Sequence, residues 1–124
     1  TYGVELENKA SEDEASGLEL LYDSIDNGKP FIALVNYEPW AELSGNLYEG
    51  SHFVTVVGYD KDSIYVHDPL FGLWQEREKG AYFKGPVDLF LAGWGENSNW
   101  GNPNYSAVLP KIALASRLDI TQVP

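Results

Sequence analysis

The chain has 124 residues, 8 basic and 19 acidic side chains, a formal net charge of −11, and neither cysteine nor methionine. One core of this size can bury enough surface to fold, so residues 1–124 read as a single domain. With 44% hydrophobic and 14% aromatic residues, the chain is not a disordered polymer. No apolar run approaches the roughly 20 residues of a spanning helix, and no signal or targeting segment is visible. Residues 1–62 hold 13 acids against 3 bases, whereas residues 63–124 hold 6 against 5. That balance argues against nucleic acid and against an anionic membrane surface, both of which need Lys and Arg. Solubility accounts for the acidity more simply than an acidic partner site does. Without cysteine there are no disulfides and no thiolate metal sites. Without methionine there is no initiator, so sequence upstream of Thr1 is expected.

A leading segment around Tyr2–Glu7 is a candidate strand. Ser11 to Glu14 has the form of a capping box, and Leu18, Leu21, Tyr22 and Ile25 then recur on one helical face. Glu12, Asp13 and Glu14 suit the positive end of the helix dipole. Gly28 and Pro30 supply the stop. Phe31–Tyr37 is a nearly continuous apolar run, as in a strand buried on both faces. Residues 38–50, with Pro39, Gly45, Asn46 and Gly50, read as a loop. His52–Tyr59, a turn over Asp60–Ser63 and a return strand Ile64–His67 make a hairpin, ended by Asp68 and Pro69. Trp74–Phe83 suggests a further short strand. Gly85 and Pro86 open a helix over Val87–Gly93, with Pro at its first position. Gly95–Asn104 reads as a loop and Tyr105–Leu109 as a strand; Lys111–Pro124 fits either state. The expected class is α+β: a mostly antiparallel sheet with an N-terminal helix packed on it, and little chain left to cover the sheet's other face.

The chain's two histidines, His52 and His67, frame the hairpin. His52 opens its first strand and Asp68 closes its second, so the two ends lie side by side. A carboxylate beside an imidazole accepts the proton of one ring nitrogen and leaves the other free as a general base. The same pair also occurs as a purely structural hydrogen bond at a strand edge. His67, adjacent to Asp68, is expected to face away from it, as a surface or packing residue. Alternation likewise separates the two histidines and works against a metal site built from His52, His67 and Asp68. Asp60-Lys61-Asp62 lacks the glycine and the later bidentate glutamate of a calcium loop, and reads as a turn. Trp94 falls in the core. Trp40 and Trp100, placed in loops, could line a groove for a peptide or glycan. The Gly93–Glu96 and Asn97–Asn104 stretches lack the lysine and the strand-to-helix order of a phosphate loop.

The flanking pattern adds information. Gly28-Lys29-Pro30 precedes an apolar strand, Gly50-Ser51-His52 precedes another that ends in Gly58-Tyr59, and Val66-His67-Asp68-Pro69 ends a third. This resembles the bacteriocin-processing (double-glycine) peptidase-like branch of the papain-like cysteine peptidases. Phe90 with Trp94, and the strand Tyr105–Leu109, extend the resemblance from about Tyr2 to Leu109. It implies a papain-like half-domain, hydrolysis of a peptide or amide bond, no cofactor, and secretion or surface exposure. By the same resemblance His52 is the general base and Asp68 its orienter. The family's nucleophile is a cysteine at the start of an early helix, preceded by a glutamine. This sequence has no cysteine, and its glutamines, Gln75 and Gln122, fall in the wrong order. The resemblance therefore points to a domain lacking its N-terminal helical lobe and inactive as it stands. A non-catalytic peptide- or glycan-binding or structural module of the same fold is the alternative. Ser51 is a poor substitute nucleophile, because its side chain and that of His52 leave the strand on opposite faces. A homodimer or a complementing N-terminal segment would cover the open sheet face.

Overall fold

The computed structural model describes residues 5–45, 48, 50–68, 80–97 and 101–113. In chain order these form β1 (Leu6–Ala10), α1 (Glu14–Asp26), β2 (Phe31–Asn36), α2 (Glu38–Ser44), β3 (Ser51–Tyr59), β4 (Ser63–His67), β5 (Phe83–Pro86), α3 (Val87–Trp94) and β6 (Ser106–Pro110). The six strands make one sheet in the order β1-β6-β2-β3-β4-β5, antiparallel at every pairing. The class is α+β, as the sequence pattern predicts.

Alternation along β2 and β3 decides which side chains meet the helices. Phe31 pairs with Val56, Ala33 with Val54 and Val35 with His52, so these residues share one face. Phe31, Ala33, Val35, Val54 and Val56 are buried there together with Leu21 and Ile25 of α1, Trp40 of α2, and Phe90 and Trp94 of α3. All three helices thus cover the same side. Between Val56 and Gly58 the register with β4 shifts by one residue. This bulge moves Tyr59 onto the helix side, opposite Ile64. There Tyr59 packs on Tyr22 at 4.2 Å and donates to the Asp26 carboxylate at 2.8 Å. The other side of the sheet carries Leu34, Phe53, Ala10 and Val108 around an open hollow, and no helix of the described residues lies over it. Phe53 remains 51% exposed.

Several boundaries move. The cap of the first helix falls two residues after Ser11: Asp13, not Ser11, caps it by accepting from Ser16 N at 2.8 Å. The Ser16 amide and then the Ser16 side chain hold the Asp13 carboxyl below its ordinary range. Residues 38–44 are a helix rather than part of a loop. Pro39 sits in its first turn, where its missing N–H costs nothing, and Gly45 ends it with φ 75°. Trp40 is consequently not a loop side chain lining a groove. It is buried against Phe83 (5.9 Å between ring centroids), over Gly85, where a Cβ would fall 2.4 Å from its ring. Its Nε1 has no hydrogen-bond partner among the described residues. Among the described residues the first strand is Leu6–Ala10; residues 2–4 of the expected Tyr2–Glu7 strand lie outside them. Of the strand expected within Trp74–Phe83, residues 74–79 lie outside the described residues and the described strand begins at Phe83, while Pro86 flanks the third helix instead of opening it. Trp74, Trp100, Gln75, Gln122 and the stretch 114–124 lie outside the described residues.

The third helix approaches the sheet closely because residue 93 lacks a side chain. A Cβ on Gly93 would lie 2.4 Å from the carbonyl oxygen of Asn36. The next residue, Trp94, is fully buried; its ring meets Phe31, Phe90 and Tyr105, and its Nε1 donates to Ser106 O at 2.8 Å. Alanine is the better helix former by about 1 kcal/mol. Gly93→Ala is nevertheless expected to destabilise the fold by about 1–3 kcal/mol, the usual cost of overpacking. Urea denaturation checks this, and an unchanged or raised midpoint would refute the close approach.

Candidate active site

The site lies at the end of the sheet where β3 begins and β4 ends. Val35 pairs with His52, so Tyr37, two residues beyond Val35, emerges on the same helix-covered side. On the neighbouring strand the last pair is Thr55 with His67. Asp68, one residue further, therefore turns its side chain toward the face that carries Val54 and His52. Its main chain is tied from the other direction, with Asp68 N donating to Gly80 O at 2.8 Å.

The sequence pairing of His52 with Asp68 is present as a direct contact. His52 Nε2 lies 2.8 Å from Asp68 Oδ1; the carboxylate is fully buried and the imidazole side chain is 13% exposed. Because Nε2 faces the acceptor, it carries the proton of the neutral ring. The other nitrogen, Nδ1, makes no hydrogen bond to any described residue. Asp68 Oδ2 accepts from the Tyr37 hydroxyl at 2.6 Å, and that hydroxyl lies 2.9 Å from Ser44 Oγ. Burial, followed by the bond to Asp68, pushes the Tyr37 phenol far above its ordinary range, so it stays a neutral donor. The Tyr37 and Tyr48 rings flank the imidazole at 5.2 and 5.8 Å between centroids. An imidazole with one nitrogen held by a buried carboxylate and the other unengaged can accept a proton from a group brought to it.

Ser51 and His67 do not join this cluster. Ser51 Oγ donates to Asn97 Oδ1 at 2.9 Å and accepts from Asn102 Nδ2 at 3.0 Å. Asn97, itself fully buried, also donates to Leu34 O at 2.7 Å, so the asparagine-rich loop is stapled to the start of β3. His67 points to the opposite side of the sheet from His52. Its Nδ1 accepts from Tyr82 N at 3.1 Å, and Tyr82 is held at φ 52°. Asp60 behaves as a turn residue, with Oδ1 accepting from Asp62 N and Ser63 N and its carboxyl held low by those donors.

The model of the Peptidase_C39 like family matches residues 1–88, and these include Tyr37, His52 and Asp68. The chain belongs to this family. No match was found among curated proteins. The match to the Peptidase_C39-like family stops at the start of α3. Phe90, Trp94 and β6, which the sequence resemblance had included, lie beyond it. The chain thus carries a peptidase-like domain of this family with no cysteine. Sequence reasoning passed over Tyr37, which looked like the last apolar residue of a strand. Its signal was faint: a phenol at the end of a buried run needs a partner for its hydroxyl.

Asp68→Ala leaves two buried donors, Tyr37 Oη and His52 Nε2, without their acceptor. At about 1–3 kcal/mol for each group left unpaired, a loss of several kcal/mol is expected in urea titrations. A loss below the cost of one such group would contradict the buried bond network.

Burial lowers the His67 pKa from its ordinary 6.5, and protonation at Nδ1 would also break the bond from Tyr82 N. A depressed folded value means that His67 stabilises the fold fully above about pH 6.5 and loses this effect as pH falls through the folded value. Thermal melts at about pH 7.5 and 5.5 are expected to show a larger acid loss for the parent than for His67→Gln. Equal losses would remove His67 from the pH dependence.

Proposed function

We propose that this chain is the base-bearing part of a cysteine-peptidase-like site, in which His52 is the general base and Asp68 its orienter. The observation that carries this reading is an imidazole whose Nε2 is bonded to a fully buried carboxylate and whose Nδ1 is unengaged among the described residues. A thiol brought to Nδ1 would give its proton to His52 while its sulfur attacks a peptide carbonyl carbon. The protonated ring would then return that proton to the leaving amine. The chain has no thiol of its own, so by itself it does not hydrolyse peptides by this route. The cysteine would come from a complementing segment or a second chain.

The missing cysteine also supports a second reading, a non-catalytic module of the same fold that holds a peptide or glycan. The gene upstream of Thr1 separates the two. The first reading expects a glutamine followed by a cysteine at the start of a helical pattern. It also expects peptide hydrolysis by the full-length product that falls by about 10²–10⁴-fold in His52→Ala. A full-length product without cysteine, which binds peptide or glycan and cleaves neither, would leave the binding module.

A further inference from the structure

We propose that Tyr37 is a positioning residue for His52, acting through Asp68: its hydroxyl occupies Oδ2 so that Oδ1 is the carboxylate oxygen presented to Nε2. The inference rests on reading His52 and Asp68 as base and orienter, and it adds a residue to that site.

The carboxyl torsion of an aspartate is broad and roughly two-fold, so an Asp68 held only by His52 could present either oxygen in a range of planes. Two short bonds to different oxygens, 2.6 Å from Tyr37 and 2.8 Å from His52, select one plane. Both are bonds to an ionised acceptor, the stronger class of hydrogen bond. Tyr37 is well built to act as the fixed point. It is fully buried, and its ring stands edge-on to the imidazole at 83°. Tyr37 N donates to Gly50 O at 3.0 Å, two residues before His52, while Tyr37 O accepts from Trp40 N and Ala41 N at 2.9 and 2.8 Å. The residue therefore joins the segment entering β3 to the first turn of α2. Ser44, at the far end of the same helix, meets its hydroxyl at 2.9 Å. Helix α2 thus supports the phenol from both of its ends. Because burial keeps the phenol protonated, it donates to Asp68 throughout the range in which an imidazole changes charge. A phenol spaced merely to fill the core would need no such bond, and phenylalanine would serve as well.

The test reads the His52 ring rather than stability. An imidazole N–H bonded to a buried carboxylate gives a low-field proton resonance that exchanges slowly with water. The parent chain is expected to show this resonance in the cold, and Asp68→Asn is expected to abolish it. In Tyr37→Phe, with the fold confirmed by the dispersed Trp94 indole resonance, exchange should quicken by about tenfold or more, the equivalent of one such bond. 3-Fluorotyrosine introduced at position 37 alone by stop-codon suppression makes the phenol a stronger donor with little change in ring size. It should draw charge from the carboxylate and move the His52 resonance upfield. No resonance in the parent, or its survival in Asp68→Asn, would overturn the base–orienter pair and this inference with it. Loss in Asp68→Asn, with Tyr37→Phe and the fluorinated protein both unchanged, would overturn the role of Tyr37 alone and leave the pair standing.

Discussion

A carboxylate removed from water must be surrounded by donors, and the buried side chain of Asp68 imposes that requirement on this end of the molecule. Tyr37 and His52 answer it directly, and Gly80 fixes its main chain. Each of these partners comes from a different part of the chain. Tyr37 follows β2, His52 opens β3, and Gly80 precedes β5. The strand pairings that bring them together are the same ones that build the core, so the site cannot be assembled without the sheet. The family to which the chain belongs is peptidase-like, and its model spans Tyr37, His52 and Asp68.

The sheet's two sides have unequal fates. One is closed by three helices that interlock through small residues. Gly17 lies 3.0 Å, measured from its would-be Cβ, from the Trp94 ring; Gly85 admits Trp40; and Gly93 admits the Asn36 carbonyl. The bulge in β3 keeps even Tyr59 on that side. The other side has no helix among the described residues and leaves Phe53 half exposed. An acidic chain with a hydrophobic sheet face has a stated place at which another element could pack, next to the strand that carries His52.

Much of this was legible from periodicity. The apolar spacing of Leu18, Leu21, Tyr22 and Ile25 marks α1, and the hairpin from His52 to Asp68 follows from β-branched runs on either side of an Asp-rich turn. The capping residue was misplaced because Ser11 and Asp13 both have the right chemistry, and only backbone geometry chooses between them. Helix α2 was hidden for another reason. Seven residues that include a proline and are followed at once by a glycine carry almost no periodic signal, and the helix exists because Trp40 is buried on β5 and Tyr37 is bound at its start. That same misreading put Trp40 in a loop and concealed the setting of Tyr37.

The amino-acid sequence by itself determined the absence of a thiol, the α+β class, and the adjacency of His52 and Asp68, because composition is local and a short hairpin leaves its ends one place to go. Tertiary structure alone decided which imidazole nitrogen meets the carboxylate, that Oδ2 of Asp68 belongs to Tyr37, and that Ser51 is held by Asn97 and Asn102 on another side. Those choices depend on contacts between residues up to 51 positions apart. Such contacts are set by packing geometry across β2, β3 and the loops that meet them, and no local pattern of residues encodes them.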